Sequence, residues 1–114
     1  MYQAVLKAQL AALDAVRAGV TAEHIDRRAR KVLESEGLAK EFVHSTGHGL
    51  GLEIHEPPRL GKGDKTRLEA GMLITIEPGV YVRGFGGIRI EDTVLVTENG
   101  CEILTPTSKE LRLL

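Results

Sequence analysis

The apolar positions change period partway along the chain. From Tyr2 to Ala18, residues Tyr2, Val5, Leu6, Leu10, Leu13 and Val16 recur at helical steps, while Lys7, Asp14 and Arg17 fall largely off that stripe. This spacing predicts one apolar face of an α-helix. Gly19 supplies a left-handed stop. Thr21 then offers a capping side chain for a second helix, Ala22 to about Glu36, with Glu23 near the positive end of its dipole. Ile25, Ala29, Val32 and Leu33 form its expected buried face, and Gly37 ends it. So short a link predicts an antiparallel helical hairpin. Met1-Tyr2-Gln3 brings no cap and no lead-in. It reads as a chain cut at a helix boundary, the alternative being a natural start with a frayed first turn.

After Gly37 the helical period disappears. Phe42-Val43 begins a strand that runs into a histidine-rich stretch. Glu56 to Met72, with two prolines, three glycines and many charges, reads mostly as loop. Leu73 to Glu77 alternates, Pro78-Gly79 breaks it, and Val80 to Arg83 resumes as strand before a Gly84-Phe85-Gly86-Gly87 turn. Ile88 to Val96 reads as one long strand, and Asn99-Gly100 turns it into Cys101 to Leu104. Helices first and strands afterwards predict an α+β fold, two N-terminal helices packed on a mainly antiparallel sheet.

Composition narrows the function classes. The 114 residues suit one domain, residues 1–114, which buries roughly 60% or more of its unfolded surface. With 15 basic and 16 acidic residues the formal charge is -1, so no electrostatic footprint for nucleic acid or an anionic membrane is present. No apolar run is long enough for a membrane span and no signal peptide opens the chain. The single cysteine, Cys101, forms no internal disulfide, and a cytoplasmic setting is the default expectation.

Candidate chemistry concentrates in His44 to His55, where three of the four histidines stand. Neutral imidazole is a common metal ligand, and Gly47, Gly49 and Gly51 let backbone approach closely. A Gly-rich turn with incidental histidines is the other reading. Strand parity adds to the first. Thr75 and Glu77 share one face, as do Arg89, Glu91 and Thr93, with Ile74, Ile76, Ile88 and Ile90 on the other. If the isoleucines face the helices, Glu77, Arg89 and Glu91 line the opposite face, and His44 and His48 share a face of a regular strand. One imidazole with two carboxylates is a donor set for Mn²⁺, Co²⁺, Fe²⁺ or Zn²⁺. Each of these residues taken singly also reads as the wet face of an antiparallel sheet. Asp92 has the opposite parity and reads as a solvent or loop contact, Cys101 as packing and His24 as surface.

Four segments in order resemble the signatures of a family. They are Gly47-His48-Gly49-Leu50-Gly51, Ile54-His55-Glu56-Pro57-Pro58, Thr75-Ile76-Glu77-Pro78-Gly79 and Gly87-Ile88-Arg89-Ile90-Glu91-Asp92. Together they resemble the pita-bread metallopeptidases: methionine aminopeptidases, Xaa-Pro aminopeptidases and Xaa-Pro dipeptidases (prolidases). His44, four before His48, and Arg89-Ile90-Glu91-Asp92 favour the Xaa-Pro branch, with methionine aminopeptidase the alternative within the family. The resemblance implies one half of a pita-bread fold, the C-terminal half of its catalytic domain. It implies His48, Glu77 and Glu91 as metal ligands and Glu77 as acid/base. It further implies His55 as a catalytic residue steadying the tetrahedral intermediate, and His44, His55 and Arg89 as substrate contacts. In some prolidases an arginine at the position of Arg59 holds a dipeptide's carboxylate; a solvated loop arginine is the other reading.

One departure qualifies this. The family's two-ion site needs two aspartates from strands that would precede Tyr2, and Asp14, Asp26, Asp64 and Asp92 do not stand in that context. The expectation is therefore a peptidase fragment, inactive alone, holding at most one weakly bound ion where its parent holds two. Its partners are a proline-containing peptide and a second copy in a homodimer. A non-catalytic half-fold module acting in folding or self-association is the alternative from another class.

Overall fold

The computed structural model describes residues 1–114. Two helices open the chain, α1 (Tyr2–Ala15) and α2 (Ala22–Ser35). Ion pairs run from Lys7 near the start of α1 to Glu36 beyond the end of α2 (3.3 Å), and from Asp14 near the end of α1 to Arg28 (3.9 Å). The helices are thus antiparallel, as expected. Thr21 caps α2 by accepting the His24 amide at 3.2 Å.

The buried face of α1 differs from the stripe its leucines outline. Ala4, Val5, Ala8, Gln9, Ala12 and Ala15 are buried, whereas Leu10 is 54% exposed and Leu6 and Leu13 are half-buried. Small side chains let the backbone approach its neighbours, and the leucines cover the flanks. The helix also stops three residues early, at Ala15. Beyond it the Ala18 amide donates to Thr97 O (3.0 Å) and the Gly19 amide to Leu68 O (2.8 Å). These long-range bonds replace another helical turn, and Gly19 takes φ +93° to make them.

Seven strands follow: β1 (Gly47–Gly49), β2 (Glu56–Leu60), β3 (Leu73–Ile76), β4 (Gly79–Val82), β5 (Gly86–Arg89), β6 (Asp92–Val96) and β7 (Cys101–Ile103). Five form one antiparallel sheet in the order β2-β1-β3-β6-β7, and β4 and β5 form a separate two-stranded ribbon. The core between helices and sheet joins Val5, Ala12, Ile25, Ala29 and Leu33 to Leu60, Ile74, Ile76, Val80, Ile90, Val94 and Val96. This is the expected α+β layering. No helix is long and apolar enough to cross a membrane.

Three strand boundaries differ from the sequence reading. No strand starts at Phe42; Ala39–Glu41 is a 3-10 turn and the ladder begins at Gly47. The carbonyls of Phe42 and His44 are taken by the Arg30 guanidinium, which removes them from any ladder. The presumed loop from Glu56 contains β2, an edge strand on which Pro57 and Pro58, joined by a cis peptide bond, are tolerated. The long strand from Ile88 to Val96 is two, because the chain changes partners: Arg89 pairs with Gly79 of β4, and Asp92 with Ile76 of β3.

Gly47 marks the closest approach in the sheet. A Cβ there would overlap the Thr75 carbonyl, so β1 can lie against β3 only with glycine at this position.

Candidate active site

Glu77 and Glu91 stand at the two ends of an excursion. The chain leaves the main sheet after Ile76, forms the β4–β5 ribbon, and returns at Asp92, the residue paired with Ile76. Each glutamate lies one residue outside that pair, so sheet register brings the two to the same end of the sheet. Arg89 sits between them, its Nε 3.6 Å from Glu77 Oε2 and 3.5 Å from Glu91 Oε2. The Tyr81 hydroxyl is the largest cause holding the Arg89 guanidinium above its ordinary pKa; burial opposes it, and the charges of Glu91 and Glu77 add to it. Arg89 therefore stays charged and keeps two carboxylates together that would otherwise repel.

His48 in β1 faces the same place. Its Nδ1 lies 2.7 Å from Gly49 O, and its Nε2 3.0 Å from Glu77 Oε1. A carbonyl can only accept, so Nδ1 carries the proton and donates. The Nε2 lone pair of the neutral ring then points at a carboxylate oxygen, also an acceptor. Two lone pairs at 3.0 Å need a cation between them, either a second proton or a metal ion. A backbone carbonyl fixing the tautomer of a ligand histidine is the usual outer support of a metal site. The donor chemistry of His48, Glu77 and Glu91 thus fits a divalent ion. The three are not drawn into a closed ligand set, because Arg89 occupies the space between the carboxylates.

Thr75 stands beside Glu77. It is buried, receives the His48 amide on its hydroxyl (3.1 Å) and donates that hydroxyl to Glu77 Oε1 (2.9 Å). One threonine thereby registers the histidine against the glutamate.

A cleft of about 220 Å³ is lined by His44, Ser45, His48, His55, Glu77 and Arg89. His55, in the loop between β1 and β2, sets its ring edge-on to His48, with centroids 4.6 Å apart. His44 lies on irregular backbone and not on a strand face. Its Nδ1 is 2.8 Å from Ser45 O and its Nε2 2.9 Å from the Tyr81 hydroxyl. Arg59 lines an adjoining hollow with Ser45, His48, His55, Glu56, Pro57 and Asp64, and its own guanidinium donates to Lys62 O at 2.8 Å.

The other aspartates are engaged elsewhere. Asp14 is at the surface. Asp26 pairs with Arg30 at 2.7 Å. Asp64 accepts the amides of Arg59 and Thr66, each at 2.9 Å. Asp92 corrects the reading of a solvent or loop contact. It is 2% exposed and accepts from Gln9 Nε2 (2.7 Å), Thr105 Oγ1 (2.8 Å) and Lys109 Nζ (2.9 Å). Cys101 is half-buried, and burial, with the charge of Asp92 added, raises its thiol pKa, in keeping with a packing role. His24 is half-buried on the first turn of α2. Sequence reading gave no role to Tyr81, Thr75 or Arg30. Thr75 had its place on the face of Glu77 as a signal, and Tyr81 its place as an aromatic four residues after Glu77.

Comparison with known proteins gives a consistent result. The model of metallopeptidase family M24 matches residues 1–98. A Xaa-Pro dipeptidase from Pyrococcus furiosus is 52% identical over 111 residues, covering 97% of this chain and 32% of that protein. One from Lactobacillus delbrueckii subsp. lactis is 45% identical over 114 residues, 31% of its length. Among solved structures, a Xaa-Pro dipeptidase from Bacillus anthracis superposes with a TM-score of 0.96 at 47% identity, covering 99% of this chain and 32% of that one. An X-Pro aminopeptidase from Thermotoga maritima gives 0.92 at 42% identity, covering 96% and 31%. The chain spans about a third of the length of these relatives.

Proposed function

The chain belongs to metallopeptidase family M24, and from that membership we propose that it carries part of the active site of a metal-dependent peptidase that cleaves Xaa-Pro bonds. The observation that carries the reading is the His48–Glu77 pair, an oriented imidazole lone pair facing a carboxylate across 3.0 Å. His48, Glu77 and Glu91 would hold a divalent ion such as Mn²⁺, Co²⁺, Zn²⁺ or Fe²⁺. When bound, the ion supplies Lewis acidity for attack of water on the peptide carbonyl.

The chain's own residues have separate tasks. Glu77 takes a proton from the attacking water and returns it to the leaving imino nitrogen. Thr75 holds Glu77 Oε1, so that Glu77 Oε2 and its neighbour Arg89 face the cleft. His55, exposed at the cleft wall, donates to the oxygen on which negative charge develops. His44, steadied by Ser45 O and Tyr81, contacts substrate, and Arg89 holds Glu77 and Glu91 side by side. Arg59 reaches a dipeptide's carboxylate at the outer end, exchanging its bond to Lys62 O for a bidentate one.

Three donors from this chain are fewer than a two-ion site requires, so these 114 residues bind at most one ion, weakly, and turn over little substrate by themselves. A homodimer in the cytoplasm completes the reading, supported by the edge strands β2 and β7 and by exposed Leu52, Ile54 and Phe85. Calorimetric titration with Mn²⁺, alongside a Xaa-Pro dipeptide hydrolysis assay, tests the proposal. The expected result is one weak site, lost in Glu77→Gln, with turnover near background. Binding unaffected by Glu77→Gln would remove the ligand assignment, and robust hydrolysis would overturn the inactivity.

A further inference from the structure

The Asp26–Arg30 pair on α2 does not line the cleft, yet its bonds end on the backbone that carries the cleft residues. Arg30 uses its whole fork. Nε donates to Asp26 Oδ2 at 2.7 Å, one terminal nitrogen to Phe42 O at 3.1 Å, and the other to His44 O at 2.6 Å. The guanidinium also lies over the Phe42 ring, 4.2 Å from its centroid, and Phe42 in turn meets the His44 ring edge-on at 5.1 Å. Asp26 is 2% exposed, and its second oxygen accepts both the amide (3.2 Å) and the hydroxyl (2.8 Å) of Thr46. The Thr46 carbonyl then accepts the Glu77 amide at 2.6 Å.

We propose that Arg30, held by Asp26, is a positioning residue that sets the His44 ring and the Glu77 backbone from a single helix. The inference rests on the reading of the cleft as a peptidase site, but its geometry stands without it. Five consecutive residues, Phe42 to Thr46, have irregular backbone with no ladder to hold them. Besides the bonds of the Thr46 amide to Leu60 O (2.8 Å) and of the Phe42 amide to Ala39 O (3.3 Å), their fixed points are Arg30 on two carbonyls and Asp26 on one amide and one hydroxyl. The pairing is charge-balanced, so the buried carboxylate and the guanidinium satisfy each other while all their remaining hydrogen bonds go to this one segment. Lysine cannot replace the arginine here, because a single ammonium lacks the planar fork that reaches two carbonyls and a carboxylate at once.

The test uses the full chain labelled with ¹⁵N-histidine, with Arg30→Lys and Asp26→Asn as variants. In the wild type at mildly alkaline pH, His44 is expected to show two well-separated ring nitrogen resonances. These are the mark of one tautomer, with Nδ1 donating to Ser45 O and Nε2 accepting from Tyr81. In either variant the two resonances should merge toward a tautomer average while those of His24 stay put, and hydrogen exchange should quicken at the Glu77 amide but not along α1. A folded variant with the His44 resonances and the Glu77 amide unchanged, or with exchange raised uniformly through the core, overturns the proposal. Should Arg30→Lys fail to fold by circular dichroism, Asp26→Asn gives the same readouts. Neither readout needs turnover. If Glu77→Gln leaves Mn²⁺ binding unchanged, the peptidase reading fails and the positioning role is judged separately by the resonances and the exchange.

Discussion

Asp92→Ala provides a severe test of how the fold is held, because the sequence reading made this residue a solvent or loop contact and the structure buries it. The carboxylate is 2% exposed and accepts three side-chain donors: Gln9 of α1, and Thr105 and Lys109 of the C-terminal tail. Alanine removes all three bonds. Gln9 is fully buried and its Oε1 already lacks a partner, so losing Asp92 orphans the whole amide. Lys109 loses its counter-charge, though its side chain is 24% exposed and keeps some water. Breaking a buried pair typically costs about 3–5 kcal/mol. The partial hydration of Lys109 argues for the lower end, about 3 kcal/mol. Total stabilities of such domains are about 5–15 kcal/mol, so the loss is a large share. Urea denaturation followed by far-ultraviolet circular dichroism measures it. At a slope of about 2 kcal/mol/M the midpoint falls by roughly 1.5 M. Asp14→Ala is the control: its side chain is 82% exposed beside Arg28 at 3.9 Å, and the expected change is within about 0.5 kcal/mol. An Asp92→Ala midpoint no lower than that of Asp14→Ala would refute the account of a buried, obligatory network.

Other substitutions probe the site and the sheet. Glu77→Gln and Glu91→Gln should each weaken Mn²⁺ binding by roughly tenfold or more in calorimetry, while His44→Ala should leave it nearly unchanged. Gly47→Ala should lower the thermal midpoint sharply, since its Cβ would meet the Thr75 carbonyl; an unchanged midpoint would show that β1 can move off β3 at little cost. Burial opposes ionisation of Asp64, but the hydroxyl and amide of Thr66, the amide of Arg59 and the nearby Arg59 charge outweigh it and hold the carboxyl below its usual pKa. A group lowered in this way stabilises the fold above its unfolded pKa and loses that contribution as pH falls through the folded value. Asp64→Asn should therefore destabilise at neutral pH and flatten the stability profile in the acid range, read by urea midpoints across pH. Light scattering at micromolar concentration should return twice the monomer mass, and a clean monomer would remove the homodimer from the functional reading.

Much of this architecture was legible in the order of residues, and the gaps have physical causes. Helical period and a capping threonine fixed α2 closely, because Thr21 and the Ile25–Ala29–Leu33 face act locally. The α1 face was misread because leucine was weighted over alanine, while close packing selected Ala4, Ala8, Ala12 and Ala15. β2 hid behind two prolines and a glutamate that only an edge strand accepts. The division of Ile88–Val96 was invisible since it depends on a change of partner and not on local preference. His48, Glu77 and Glu91 were named from motif and parity; the structure brings His48 and Glu77 within 3.0 Å. The link of Glu91 through Arg89 required coordinates. Asp26 and Arg30 stand four apart on α2, and nothing in the sequence shows that both reach across to Phe42–Thr46.

The β4–β5 ribbon has a consequence for how this chain can vary in length. Its two ends are pinned by the Ile76–Asp92 pairing, so the separation of Glu77 from Glu91 is set by the sheet and is indifferent to what the ribbon's far end does. Arg89 occupies its base and Tyr81 pairs with Gly87 farther along, and the exposed tip Arg83–Gly84–Phe85 carries neither. That tip is the place where residues can be inserted, deleted or replaced by a reporter peptide while the acidic pair keeps its spacing. Lengthening the chain between β3 and the ribbon, or between the ribbon and β6, would shift one glutamate relative to the other. The same eleven-residue excursion from Gly79 to Arg89 thus joins a permissive end to two intolerant junctions.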